Sequence, residues 1–141
     1  MKKKPAHVDI VEELNRLMAE ELEAFLRYFQ LRYRLRGIDR LAAENFFDKT
    51  MQETLQHAEA IATHIRVLGE TPKLSIKLEV AGGPMSLKEA LLDALTFEQQ
   101  ALDAYKELLP RAKGNPALED FARKQIATES EHVQEIRLLL E

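Results

Sequence analysis

Cysteine is absent from the 141 residues. Disulfides, thiolate zinc sites, iron–sulfur clusters and a cysteine nucleophile are therefore excluded. Glycine and proline number five each and fall mostly in two places, so long stretches run without a helix breaker. No apolar run approaches the roughly 18 residues of a membrane span. Positive charge is not in excess either: the net charge is −4, which leaves no electrostatic footprint for nucleic acid. The opening Met1-Lys2-Lys3-Lys4-Pro5 has no apolar segment behind it and is not a signal peptide. It reads as a solvated terminus, with residues 1–7 flexible and His7 exposed. The expectation is a cytoplasmic protein with neither nucleic acid nor membrane as a partner. No glycine-rich phosphate loop or nucleophile elbow is present, and Gly82-Gly83-Pro84 is turn chemistry.

What is abundant is Ala, Leu, Glu, Lys, Gln and Arg, the strong helix formers. The length suits a single domain spanning residues 1–141. Apolar residues recur at steps of three and four in four stretches, the period of an amphipathic helix. The first runs from about Val8 to Arg36 and stops at Gly37. The second opens near Asp39, runs to Leu68 and stops at Gly69. The third opens at Ser86, where Ser86 and Glu89 form a capping box, and ends near Pro110. The fourth opens at Asn115-Pro116, an N-cap followed by proline, and runs to the end. Short turns join the first two helices and the last two, so each pair should be an antiparallel hairpin. Residues 70–85 separate the hairpins and are long enough to cross the length of a bundle. The sequence thus predicts an all-α four-helix bundle with one long crossover.

The informative residues are those that break the apolar stripes. Glu21 in the first helix and Glu98 in the third stand where a leucine is expected. Thr54 and His57 lie on the inner face of the second helix, Glu129 and His132 on that of the fourth. Several carboxylates buried together are very unfavourable unless cations neutralise them, and carboxylate plus imidazole is a ligand set for iron, manganese or zinc. An internal repeat links the hairpins. Glu21 and Tyr28 recur as Glu98 and Tyr105, 77 residues on, and Thr54 and His57 recur as Glu129 and His132, 75 residues on. The repeat predicts a pseudo-twofold axis through the site. His64 reads as an end-of-bundle or surface histidine.

On these residues the chain resembles the ferritin-like superfamily, in particular its bacterioferritin and rubrerythrin branches, and the likeness covers nearly the whole chain. Such proteins hold two iron ions with one Glu from each of two helices and Glu-x-x-His from each of the other two. The resemblance implies a metal site of Glu21, His57, Glu98, Glu129 and His132. It makes Tyr28 the buried tyrosine that hydrogen-bonds a ligand carboxylate, with Tyr105 its symmetry mate, either of them able to orient a ligand or pass an electron. It implies iron, one or two ions, with manganese or zinc as substitutes, and dioxygen or peroxide as oxidant. Leu55 stands where haem-binding relatives carry methionine, so no haem is expected. The chain stops nine residues after His132 without the short fifth helix of the large cages. A homo-oligomer is expected, either a dimer packed through the first two helices or a small shell.

One residue departs from the pattern: Thr54 occupies the place of a bridging Glu. Glu21, Glu98 and Glu129 supply −3 where four carboxylates would balance two ferrous ions. Glu53 is adjacent but about 100° round the helix, so it is expected to substitute only if the helix is locally over- or underwound. Gln125, one turn before Glu129, is expected to hydrogen-bond it in preference to adding a weak oxygen ligand. Three functions follow: Fe(II) oxidation, a metal-binding or metal-free structural bundle descended from such an enzyme, or hydroxylation of an organic substrate in an apolar pocket beside the metals.

Overall fold

The computed structural model describes the backbone from Ala6 and the side chains from Asp9, through Glu141. Residues 1–5 and the side chain of His7, expected to be flexible and exposed, lie outside the described residues. The described chain forms four helices, α1 (Ala6–Arg34), α2 (Gly37–Val67), α3 (Leu87–Arg111) and α4 (Pro116–Leu139). The start signals act as expected. The Ser86 side chain accepts from Glu89 N at 3.1 Å, while the Glu89 carboxylate accepts from Ser86 N at 3.2 Å, completing the capping box of α3. Asn115 Oδ1 accepts from Leu118 N at 3.2 Å and Pro116 is the first residue of α4.

The α1–α2 corner is tighter than the sequence suggests. Gly37, at φ +60°, opens α2 instead of closing α1, which ends at Arg34. Buried Leu35 fills the corner from between them. Asp39, expected near the start of α2, has a further role: its Oδ2 accepts from Leu87 N at 3.2 Å and so serves the first turn of α3. Pro110 lies inside the last turn of α3, which continues to Arg111.

The crossover between α2 and α3 lies along α1. Lys73 N donates to Asn15 Oδ1 at 2.7 Å, Lys77 N to Glu23 Oε1 at 3.4 Å and Met85 N to Arg34 O at 3.1 Å. Nineteen helical residues separate Asn15 from Arg34, roughly 28 Å of rise, so the segment spans the bundle and returns the chain to the end where α2 began. Its alternating Leu74–Leu78 stretch forms no strand.

Two apolar clusters fill the interior. Leu14, Leu17, Ile61, Ile65, Leu108 and Leu118 belong to one, at the end where α1 begins. Leu31, Leu35, Phe47, Leu91, Ala94 and Ile136 belong to the other. Between them lies a layer in which every helix contributes polar side chains.

Candidate metal centre

Glu21, Glu98 and Glu129 are buried to 5, 5 and 2% residual exposure. Each occupies a mid-helix position of an apolar stripe, so the helix that buries its leucines buries the carboxylate with them. His57 and His132 stand beside them, half-buried. His57 Nδ1 lies 3.6 Å from Glu21 Oε2 and 3.5 Å from Glu129 Oε1. His132 Nδ1 lies 3.3 Å from Glu98 Oε2 and 3.5 Å from Glu129 Oε2. The five side chains expected from the sequence therefore form two triads that share Glu129, one oxygen of which faces each histidine.

The tyrosines cross between the halves. Tyr28 of α1 donates to Glu98 Oε1 at 2.7 Å, and Tyr105 of α3 donates to Glu21 Oε1 at 2.8 Å. Both rings are fully buried. The pairing repeats the 77-residue offset of the sequence and makes the pseudo-twofold relation a contact pattern. Burial first, then the facing carboxylate, pushes both phenols well above their usual range, so both remain donors.

Crowding splits the carboxyls. Burial and the neighbouring Glu98 push Glu129 up. Burial would raise Glu98 as well, but contacts with Glu129, His132 and Tyr28 outweigh it and hold that carboxyl below the usual range. Burial opposes charge on the His132 ring, yet Glu129 and Glu98 raise it to about 11.

Thr54 is buried against this layer with its hydroxyl turned away from it. Its Oγ1 donates back to Thr50 O at 2.5 Å and approaches Met51 O at 3.1 Å, the usual resting place of a helical threonine. Glu53 takes no place among the layer's clustered carboxylates and imidazoles, in keeping with an α2 that is unbroken α-helix from Gly37 to Val67. Its Oε2 instead lies 2.8 Å from His132 Nε2, on the outer edge of that ring. One expectation needs correction. Gln125 is buried, but its Oε1 has no hydrogen-bond partner and the expected bond to Glu129 does not form. His64, as the sequence suggests, stays clear of the layer, packed on the Phe121 ring at 4.8 Å with its basicity lowered by burial.

The donor set fits metal ions. His57 Nδ1, Glu129 Oε2 and Gln125 Oε1 are buried without hydrogen-bond partners, a costly state for polar atoms unless something else engages them. The imidazole–carboxylate separations of 3.3–3.6 Å exceed a good hydrogen bond. They come within about 0.2 Å of the spread for atoms sharing an ion at about 2.1 Å, which stand roughly 3.0–3.4 Å apart at octahedral to tetrahedral angles. A cavity of about 640 Å³ between α1 and α3 reaches Glu21, Thr54, Glu98 and Glu129. A smaller one of about 330 Å³ between α2 and α4 reaches Glu53, Glu98 and His132.

The same architecture recurs in solved structures. A ferritin-like, diiron-carboxylate protein from Bacillus anthracis str. Ames superposes with a TM-score of 0.87 at 26% identity, over 99% of this chain and 100% of that one. A dodecameric thioferritin, the bacterioferritin-related protein of Bacteroides fragilis, gives 0.79 at 23% identity over 92% and 82% of the two chains. Dps from Staphylococcus aureus gives 0.85 at 16% identity over 94% and 95%. The last two likenesses speak for the fold alone. No curated protein sequence matches the chain significantly. The family model for the ferritin-like domain matches residues 11–141, and with four helices joined by one long crossover the chain belongs to the ferritin-like family.

Proposed function

We propose that this protein binds Fe(II) between Glu21, His57, Glu98, Glu129 and His132 and oxidises it with dioxygen or hydrogen peroxide. The observation that carries this reading is Glu129, buried between the two histidines with one oxygen toward each and Oε2 without a hydrogen-bond partner. Glu21 and His57 would hold one ion, Glu98 and His132 the other, with Glu129 between them and manganese or zinc able to take the same places. Iron bound there supplies the one-electron redox chemistry that the side chains lack. Tyr28 and Tyr105 act as positioning residues, each donating to a ligand carboxylate and holding its second oxygen toward the layer. Glu129 and His132 give up protons as cations arrive.

Hydroxylation of an organic substrate would need an apolar pocket at the site. The larger cavity carries Arg16, Glu20, Glu23, Arg27, Asp103 and Glu107 beside Leu17, Phe97 and three alanines, a mixed lining and not an apolar pocket. We also propose that the chain self-associates through the outer faces of α1 and α2, where Leu26, Phe29, Tyr33 and Leu41 are exposed.

Anaerobic Fe(II) titration followed by oxygen or peroxide tests the metal reading. The wild type should bind Fe(II) and oxidise it, with the second ion held more weakly. His57→Ala and His132→Ala should each abolish one binding event, and Thr54→Glu should raise occupancy. Fe(II) uptake indifferent to both histidines, or no uptake, would overturn the reading in favour of a structural bundle. Tight binding of two ions that Thr54→Glu does not improve would refute the missing-ligand argument.

A further inference from the structure

The two halves of the site differ in the order of two adjacent residues. On α4 the ligand position is Glu129, preceded by Thr128. On α2, 75 residues earlier, the ligand position is Thr54, preceded by Glu53. The same residue types are present in reversed order, so α2 carries its carboxylate one position before the ligand place.

Its new place is specific. Glu53 Oε2 lies 2.8 Å from His132 Nε2, whereas His132 Nδ1, on the other edge of the ring, faces Glu98 and Glu129 at 3.3 and 3.5 Å. Glu53 therefore stands behind the imidazole, on the side away from the shared carboxylate. Lys49 Nζ stands 3.9 Å from Glu53 Oε1, leaving Oε2 to the ring. His57 presents Nδ1 to Glu21 and Glu129 in the equivalent way, but among the described residues no carboxylate stands against its Nε2.

We propose that Glu53 is a positioning residue: it accepts the Nε2 proton of His132, fixes the ring with Nδ1 toward Glu98 and Glu129, and makes that half of the site the tighter one. This rests on the reading of the layer as a metal centre. A carboxylate behind a ligating imidazole restricts its rotation and raises its basicity, and losing such a partner typically costs about 10–100-fold in metal affinity. Glu53 also returns the local carboxylate count to four. This carboxylate thus acts on one half only, and the two halves become inequivalent.

Anaerobic titration with Co(II), read by its visible absorption, tests this. The first ion should be lost in His132→Ala and retained in His57→Ala. Glu53→Ala should weaken the first ion by about 10–100-fold and leave the second unchanged. Glu53→Gln, which keeps an oxygen for the Nε2 proton without the charge, should recover part of the loss. Equal weakening in Glu53→Ala and Glu53→Gln would assign the effect to charge alone and overturn the proposal, as would an unchanged first ion. Nitrogen-15 NMR of the metal-free protein supplies the independent arm. The His132 Nε2 proton should exchange slowly in the wild type and rapidly in Glu53→Ala. If the wild type takes up no Co(II), the metal-centre reading falls, while the ring proton still decides whether Glu53 holds His132. Equal exchange in the two proteins would overturn that hold.

Discussion

Glu13 and Glu21 lie about two turns apart on α1, and both are buried. Glu13 meets Arg16 and, at 3.1 Å, Arg111, so its charge is neutralised within the protein. Glu21 meets a tyrosine hydroxyl and an imidazole, neither of which is a fixed cation. That difference in partners sets a proposed metal ligand apart from a structural carboxylate, and it is invisible on a helical wheel. The wheel located the five layer residues because each interrupts an apolar stripe. It missed the reach of Glu53 because it locates Cβ, whereas the carboxylate lies three bonds further out. The titration of the layer makes the next prediction. His132 carries a folded-state value raised to about 11 from 6.5, so its contribution to stability is complete below about pH 6.5 and is lost as pH rises toward 11. Glu129 is raised as well, and its contribution falls over the same direction of pH, beginning lower. Glu98 is depressed, so its contribution is lost only as pH falls below the ordinary carboxylate range. The metal-free protein should therefore melt at a lower temperature near pH 9 than near pH 6. Metal affinity should run the opposite way, since His132 and Glu129 must each release a proton to become ligands. Calorimetric Co(II) titrations in two buffers of different ionisation enthalpy would show the released protons, and buffer-independent heats with a flat melting profile would contradict the assignment.

The helices were legible because local signals and periodicity agree. Ser86 with Glu89, Asn115 with Pro116, and Gly69 at φ +90° mark ends that the structure reproduces. The α1–α2 corner was read two residues late, because Gly37 can close one helix or open the next and the choice depends on where Leu35 is buried. The course of the crossover was not legible at all beyond its length. It is fixed by one hydrogen bond each to the Asn15 and Glu23 side chains and two to Arg34, through its carbonyl and its guanidinium, all on a distant element. The outer face of α1 carries its own signal. Leu26, Phe29 and Tyr33 follow at steps of three and four, and the last two rings touch at 5.1 Å. Their exposures of 40, 45 and 47% leave an apolar stripe in water. Burying it against a second copy would remove that cost, at about 25 cal/mol per Å². Phe29→Glu should reduce the sedimenting mass relative to the wild type while leaving the helical circular dichroism unchanged. A wild type that sediments as a monomer at micromolar concentration would dispose of the interface.

A bundle with one continuous apolar interior would need no metal, but this molecule divides its interior into two. Leu14, Leu17, Ile61 and Leu108 pack on one side of the carboxylate–histidine layer, Leu31, Phe47, Leu91 and Ile136 on the other. All four helices pass through the layer, so each must bring polar groups to the middle of the bundle, where burial of charge is opposed by several kcal/mol per unpaired ion. Protons held by Glu129 and His132 relieve part of that repulsion in the metal-free protein. Cations binding only to the folded layer would relieve it further and couple the two apolar halves. Ligand at 100 times its dissociation constant stabilises a fold by about 2.7 kcal/mol, and 1 kcal/mol moves the midpoint of a protein of this size by roughly 2–4 °C. Saturating Mn(II) or Co(II) should thus raise the melting temperature by about 5–11 °C. The rise should shrink in Glu129→Gln, where the shared carboxylate can no longer balance a cation on either side. Magnesium, which prefers oxygen ligands and retains its water, should produce little of it. An equal rise with magnesium would mean that nonspecific screening of the acidic surface accounts for the effect. No rise with any of these ions would leave the layer as a proton-stabilised polar seam in a structural bundle.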